Sequence, residues 1–499
     1  MKDYDVIVVG AGNAALAAAA SAREAGAERV LVLEKAPEPM RGGNTHYSGG
    51  LYRCAFDDPE ELRGILPGAE EEVPGFFDLV QPYSAEAFRA DLHRVTEGRT
   101  DPELSELLIA RSLDTVRWLK ERGIVMEAAV SLSAVRHQGK MRFSPGAVVR
   151  AKGEGVGLSM MWFSIMEDLG VEVRYETAAT GLLQEENGRI GGVRTTSPLG
   201  LGEIRAGAVV LGSGGFEANP AWRARYLGAP WDQARVRGTP FNTGDGLRMA
   251  FDLEAAPHGQ YTGCHSTPID ANAPPHGDRK LTDKTNRLSY PYGVLLNREG
   301  VRFFDEGEDF QFYTYAKLGG IILNQPGGVS WQIFDQRAVP LLEPRYVTGT
   351  PLEAQTLEAL VAQLPIPHDV ANATLAAYNK AAGKGKPDAF DPTVLDGLRA
   401  EDPKGLGPPK SNWALPLTEP PFLAYPATGG ITFTFGGLRV DTQARVMGTH
   451  WRPLDGLYAC GELVGGLFHH NYPGGTGLMS GAVFGRIAGR EAARMAAGS

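Results

Sequence analysis

Near its C-terminus the chain reads His469-His470-Asn471-Tyr472-Pro473-Gly474-Gly475-Thr476-Gly477. Two histidines, an amide and a tyrosine stand ahead of a Pro-Gly-Gly turn. Histidine and tyrosine are proton-transfer groups, and a tyrosine hydroxyl can also polarise a carbonyl. The turn runs into LMSGAVFGRIAGREAARMA, which reads as a helix. Its free N–H groups then lie next to those side chains, an arrangement suited to a site where negative charge develops. Tyr472 and His470 are the candidates for proton transfer, with Tyr313 and Tyr315 as rivals for the base. Arg136, Arg142 and His469 are the candidates for holding an anionic substrate.

The partner of such a turn is read at the other end of the chain. YDVIVVG has the unbroken apolar character of a buried parallel strand, AGNAALAAAASAREAG reads as a helix closed by Gly26, and RVLVLEK is a second strand. The connecting turn is Gly10-x-Gly12-x-x-Ala15. Gly10 permits the tight bend, Gly12 lets a pyrophosphate approach the backbone at Asn13 and Ala14, and Ala15 lets the helix sit close to the sheet. Glu34 closes the second strand where an acid binds ribose hydroxyls, with Lys35 beside it. A second glycine-rich stretch follows, Arg41-Gly42-Gly43-Asn44-Thr45 and then Ser48-Gly49-Gly50. A second close backbone approach serves the ribityl chain and pyrophosphate of FAD, whereas NAD has no use for one. RAGAVVLGSGGFEANP is a buried strand ending at Ser213-Gly214. Glu217 stands where a second dinucleotide turn needs a small residue, so this strand returns to the same FAD. NTGDGLRMAFDLEA reads as a helix capped from Asn242 with Asp245 in its first turn, and LDGLYACGELVGG as a strand ending at Gly461-Glu462. With Gly475, Thr476, Gly477 and Leu478 at the last turn, these residues form the expected FAD site. No NAD(P) or metal site is read.

The remaining elements position these turns. DPELSELLIARSLDTVRWLKERG is an amphipathic helix capped by Asp101, begun by Pro102 and stopped by Gly123. VRHQGKMRFSPGAVVRAKGEG reads as a basic loop, either solvated or a wall toward an anionic substrate. Composition turns irregular after about residue 255, and helices follow in TPLEAQTLEALVAQLPI and DVANATLAAYNKAAGKGKPDAF. The expected organisation is α/β: a Rossmann-like FAD-binding domain in two parts, 1–254 and 416–499, with a capping domain of α+β type inserted at 255–415. The chain has 499 residues, 43% hydrophobic and 22% charged, with 49 basic against 59 acidic side chains and a formal charge of -10. That balance argues against nucleic acid or an anionic membrane as partner. Cys54, Cys264 and Cys460 lie far apart with no paired spacing, which points to a reduced, cytoplasmic setting. No stretch has the length and character of a membrane span.

The GGNT/GG stretch, NREGVRFFDE, GGLRVDTQARV and GLYACGE together resemble the fumarate reductase, succinate dehydrogenase and ketosteroid dehydrogenase superfamily of flavoproteins. Within it, the chain is most similar to the FAD-dependent tricarballylate dehydrogenases, some of which carry an older label as cobalamin-pathway flavoproteins. The resemblance implies oxidation of a CH–CH bond next to a carboxylate or carbonyl, with electrons passed to an external acceptor: a quinone, oxygen or a separate redox protein. Against the fumarate reductases it shows three departures. Tyr472 stands for a substrate-clamping arginine, Thr432 for a histidine, and Phe310 or a neighbour for the proton-donating arginine. Fumarate reduction is therefore not expected, and the Tyr-Pro-Gly-Gly turn is closer to that of the ketosteroid dehydrogenases. Covalently flavinylated members place a histidine where this chain has Asn44, with His46 out of register, so non-covalent FAD is expected. The alternatives are a ketosteroid Δ1-dehydrogenase, a flavin oxidase of cobalamin-like precursors, and a non-catalytic FAD-holding subunit.

Overall fold

The computed structural model describes residues 2–383, 389–401 and 407–498. Its first sheet is built on the strand Tyr4–Val9, which lies parallel between Val30–Leu33 and Gly200–Leu211, with Val6 opposite Val30 and Ala208. Short strands at Glu172–Arg174 and Pro453–Ala459 extend it in parallel on either side. Val6, Ile7 and Val8 are fully buried, as a central parallel strand covered on both faces requires. The helix Asn13–Glu24 is alanine-rich because it is squeezed between this sheet and the last helix, Thr476–Ala497. Gly481, Gly485 and Gly489, spaced one helical turn apart, face Ala14, Ala17 and Ala18 of the first helix. A methyl group at Gly485 would lie 2.3 Å from the Ala14 carbonyl oxygen, so the two backbones touch.

The second body is a sheet centred on the long strand Phe422–Thr434. Cys264–Asp270 and Val329–Phe334 pair with it antiparallel, and Val294–Asn297 extends the sheet beyond Val329–Phe334. Its core includes Leu296, Ile333, Leu375 and Phe422, with the helix His368–Ala382 covering one face. The sheet also takes Arg235–Val236 as a short parallel strand. Its strands thus reach outside the 255–415 range read from composition, because the shift in composition marks the loops of this body and not its central strand.

Several local expectations are met differently. Over TPLEAQTLEALVAQLPI, Leu352–Ala354 is a strand paired with Phe422–Ala424, and only Leu357–Val361 is helical. The free edge of the central strand offers ladder hydrogen bonds that outweigh helix propensity here. Residues 384–388 of the next expected helix lie outside the described residues. The basic loop is a hairpin, Ala134–His137 against Lys140–Phe143. The helix expected from Asn242 begins at Asp245 with left-handed Gly244 as its N-cap, while the Asn242 amide donates to Glu217 Oε1 instead. Asp101 caps Pro102–Glu121 as read, accepting from the N–H groups of Glu103 and Leu104, each at 3.1 Å. The three cysteines are free and buried. Among the described residues, no helix is long and apolar enough to cross a membrane and no cluster suits a metal ion.

Candidate active site

A cleft runs from the first βα turn to the junction of the two bodies. At one end it is lined by Gly10, Gly12, Asn13, Ala14, Glu34 and Lys35. Gly10 has a φ of 105°, which disfavours any side chain, and a Cβ there would strike the Gly212 carbonyl at 2.5 Å. The first helix has Gly12 as its N-cap and no side chain satisfying its first N–H groups, apart from Thr45 Oγ1 accepting from Asn13 N at 2.8 Å. The last helix is likewise uncapped at Gly475, and its Gly477 and Leu478 line the same cleft. Two open helix N-termini facing one cavity form a double anion cradle. Glu34 is buried beside it with no cation among the described residues paired to its carboxylate, and burial raises its pKa. That carboxylate suits ribose hydroxyls. The donor set therefore fits FAD: the first helix would hold its pyrophosphate, Glu34 a ribose, and Gly477 and Leu478 the flavin pyrimidine.

Gly43, Asn44, Thr45, Ser48, Ser213, Gly214, Asp245, Gly461 and Glu462 also line the cleft. Lys35 donates to Asp245 Oδ2 at 2.5 Å and Thr243 Oγ1 at 2.6 Å, tying the acid-bearing strand to the Asp245 helix. Glu462 lines the cleft, with the fully buried Glu217 behind it. Burial raises the pKa of both carboxyls, and the neighbouring Glu462 charge raises that of Glu217 further. Gly42, Gly49 and Gly50 do not reach the cavity. They let the loop lie against Ser159, Leu132 and Glu154, where a Cβ would come within 2.3–2.9 Å. Arg41 turns away, stacked over Phe163 at 4.1 Å and donating to the Tyr175 hydroxyl. Gly475 rests on the backbone of Arg53, and Thr476 is fully buried, donating to the Pro473 carbonyl.

Tyr472 lines the far end of the cleft, and its hydroxyl lies 2.5 Å from that of Tyr315. Tyr315 begins a helix of the second body, while Tyr472 precedes the last helix of the first. The pair therefore joins the two bodies. Around Tyr472 stand His265 at 4.8 Å, Phe433 at 5.3 Å and Phe468 at 5.4 Å between ring centres. Burial, and then the Arg237 charge, push the His265 pKa well down, and neither ring nitrogen has a partner among the described residues. Burial raises the pKa of both tyrosines. Tyr315, Arg237 and Arg53 pull Tyr472 back, whereas Tyr472 pushes Tyr315 well up. A negative charge formed on either hydroxyl is shared across this 2.5 Å hydrogen bond.

Sequence reading missed Arg237. It lines the cleft, donates from Nε to Thr432 Oγ1 at 2.9 Å and from Nη1 to the Tyr47 carbonyl at 3.1 Å, and among the described residues has no carboxylate partner within ion-pair distance. The only sequence signal is a basic residue just before GTPFNTGDG, and nothing local marks it as lining a site. The cleft walls Phe433, Phe435 and Phe468 were missed as well. The proposed anion-holding side chains lie elsewhere. Arg136 is exposed, and Arg142 sits over the Phe310 ring at 3.6 Å. In the hairpin, Val135 pairs with Arg142 and Arg136 with Met141, so the two arginines project from opposite faces. His469 and Asn471 bridge each other, which turns His470 out into solvent at a φ of 62°. His469 is half-buried and does not line the cleft. Tyr313 belongs to a separate network with Asp91 and Arg53.

Comparison with known proteins agrees with this architecture. Residues 5–478 match the FAD binding domain family. The chain is 27% identical over 495 residues to a fumarate reductase (cytochrome) of Shewanella frigidimarina, covering 98% of this chain and 77% of that protein. It is also 27% identical to a 3-oxosteroid 1-dehydrogenase of Mycolicibacterium smegmatis, covering 100% and 98%. The open conformation of a flavocytochrome c3 fumarate reductase superposes with a TM-score of 0.72 at 26% identity, over 99% of this chain and 78% of that one. With its cleft, its two open helix ends and its match over almost the whole length, the chain belongs to the FAD binding domain family and is an FAD-dependent oxidoreductase acting on CH–CH bonds.

Proposed function

We propose that the chain is a dehydrogenase that oxidises a CH–CH bond next to a carboxylate, with a tricarballylate-like polycarboxylate as its substrate class. The observation that carries this reading is Arg237, a buried guanidinium on the cleft wall with no carboxylate paired to it among the described residues. Burying an unpaired cation is costly unless a partner arrives, and a substrate carboxylate is such a partner. Thr432, held by Arg237, offers a hydroxyl beside it. With one carboxylate held there, the acidic α-proton faces the tyrosine pair. Tyr472 acts as the phenolate, held by a hydrogen bond from the Tyr315 hydroxyl, and its Oη takes the proton to become a neutral phenol. Bound FAD supplies the acceptor for the hydride that leaves the β-carbon. The FAD is held without a covalent bond. Asn44 is engaged by Glu217 Oε1 and the Thr432 carbonyl, and His46 lies toward the Arg279 carbonyl away from the cleft. Electrons leave to an external acceptor. The free, buried cysteines support a cytoplasmic location.

A second reading, a ketosteroid-type dehydrogenase, draws on the tyrosine pair and the aromatic walls Phe433, Phe435 and Phe468. Arg237 weighs against it, because a neutral ketone would leave the guanidinium unpaired. Anaerobic mixing with tricarboxylates, dicarboxylates and 3-ketosteroids, followed by flavin bleaching, separates them. Bleaching by a polycarboxylate and not by a steroid is expected; bleaching by the steroid alone overturns the reading.

A further inference from the structure

Apart from the cleft, a groove lies on the surface between the helices Pro102–Glu121 and Thr476–Ala497. Leu107, Arg111 and Asp114 come from the first helix, and Val483, Arg486 and Arg490 from the second. Each set is spaced by three or four residues and so forms one stripe of its helix. Leu107 and Val483 give the groove an apolar base, and the arginines give it a basic rim. Arg111 is exposed and has no hydrogen-bond or ion-pair partner among the described residues. Arg486 pairs with Asp114 at 2.6 Å. Arg490 shares the Glu491 carboxylate with Arg494, at 2.9 and 3.0 Å. At and beside the groove, arginine charge thus exceeds carboxylate charge, on a chain whose formal charge is -10.

The groove also ends a line of bonded and packed groups that starts in the cleft. Asn13 and Leu478 line the cleft, and the Asn13 amide donates to the Leu478 carbonyl at 2.9 Å. The same amide accepts at Oδ1 from Trp162 Nε1 at 3.0 Å. Trp162 is fully buried on the helix Glu154–Asp168, and its ring centre lies 6.1 Å from that of Trp118. Trp118 is buried on the helix Pro102–Glu121, with its indole N–H fixed on Glu24 at 2.9 Å. The Arg486 guanidinium lies over the Trp118 ring at 5.2 Å, and Arg486 is on the rim of the groove. Electrons tunnel more readily through bonded atoms and π systems than across gaps. The two indoles therefore form a contiguous medium between the cleft and a basic, partly apolar surface, without being oxidised themselves.

We propose that this groove docks an acidic one-electron carrier protein, and that Trp162 and Trp118 couple the docked carrier to the cofactor. This rests on the reading that electrons leave to an external acceptor. Two electrons leave per turnover, one to each of two carrier molecules that dock in succession, and the proton that arrived with the hydride is released to solvent. Charge complementarity selects the occupant. Carboxylates around the carrier's redox centre would meet Arg111, Arg486 and Arg490, whereas a basic carrier would leave them unpaired.

The test uses the FAD-loaded protein, reduced photochemically without substrate and mixed anaerobically with an acidic blue-copper protein, whose loss of blue colour reports each electron. At low salt the second-order rate constant should exceed that for a basic c-type cytochrome, and it should fall steeply as salt is added. Arg111→Glu combined with Arg490→Glu should lower it by about tenfold or more and flatten the salt dependence, with the flavin spectrum and melting temperature kept. Binding of the zinc-loaded, redox-inert form of the same carrier, read by calorimetry, should weaken in parallel. Trp118→Leu should bind that form as wild type does, yet transfer electrons more slowly at saturating carrier. An unchanged rate in the charge-reversed protein, or a faster reaction with the basic cytochrome, overturns the docking site. An unchanged saturating rate in Trp118→Leu overturns the route. Should Trp118→Leu fail to fold, the charge-reversed protein decides alone. The flavin is reduced without substrate, so a failed polycarboxylate screen and a failed docking test are separate outcomes.

Discussion

Replacing Tyr472 with Phe removes one oxygen from the junction of the two bodies. The ring contacts with His265, Phe433 and Phe468 do not involve the hydroxyl, so they persist. What is lost is the 2.5 Å contact with Tyr315, whose own hydroxyl is then left buried without a partner. That orphaning costs about 1–3 kcal/mol of folding stability. The cost to the reaction is larger, because the hydroxyl is the atom that takes the proton. Losing a transition-state partner of this kind costs about 2.7–4 kcal/mol, a hundredfold to a thousandfold in rate. Tyr315→Phe carries a similar stability cost, but it removes only a donor to the phenolate, worth about 1.5–3 kcal/mol. Tyr472→Phe should therefore be the slower of the two at comparable thermal stability. The assay is rapid anaerobic mixing with the bleaching substrate, following flavin absorbance, beside thermal unfolding of each variant. If Tyr472→Phe reduces its flavin within about threefold of wild type while losing stability as calculated, Tyr472 is a packed tyrosine and the mechanism is wrong at its centre.

Four further outcomes follow from the geometry. Arg237→Gln should raise KM for the carboxylate substrate roughly ten- to hundredfold, the worth of a charge-assisted hydrogen bond, with a smaller fall in kcat; an unchanged KM places the substrate elsewhere. Glu34→Ala should weaken FAD retention by about tenfold or more, read as flavin occupancy after gel filtration, since two ribose hydrogen bonds lose their acceptor. Acid precipitation of the wild-type protein should leave the yellow colour in the supernatant, and a yellow pellet would mean a covalent flavin. The hydrogen bond from His258, then those of the helix N-terminus, hold Asp101 below the usual carboxylate range despite its partial burial. The stability this confers is present above the unfolded value of about 3.9 and is lost as pH falls through the depressed one. Asp101→Asn should therefore melt below wild type near neutral pH, and the gap should close in acid; a gap independent of pH would refute the assignment.

Much of this site is legible in the sequence where the chemistry is local. Gly10, Gly12 and Glu34 can be read because a tight turn, a close backbone approach and a strand-terminal acid each demand a residue type within a single βα unit. Tyr472 could be read for the same reason, since the turn and the helix behind it are contiguous. Arg237 could not. Its meaning comes from Thr432, almost two hundred residues away, and from having no carboxylate paired to it among the described residues, and neither is encoded in its neighbours. His469 and His470 have the right side chains for chemistry, but a two-residue reversal of the backbone turns the second into solvent. Arg136 and Arg142 were separated by hairpin register, which is invisible until the turn is placed. The body centred on Phe422–Thr434 was legible as an insert but not in extent, because its central strand looks like any other apolar run.

The glycines of the last helix have a bearing on how the cofactor is measured by the protein. FAD is long, with its anionic pyrophosphate set apart from the ring that becomes anionic on reduction, so two positive helix ends must stand at a fixed spacing. Here that spacing is set by backbone against backbone, Gly485 on Ala14 and Gly489 on Ala18, with no side chain between them to change rotamer. The seam works as a rigid gauge. An alanine at Gly485 would strike the Ala14 carbonyl from behind, force the two helix ends apart and detune both grips at once. The cofactor's length is thus specified in part by a seam that starts at the cleft wall and runs away from it.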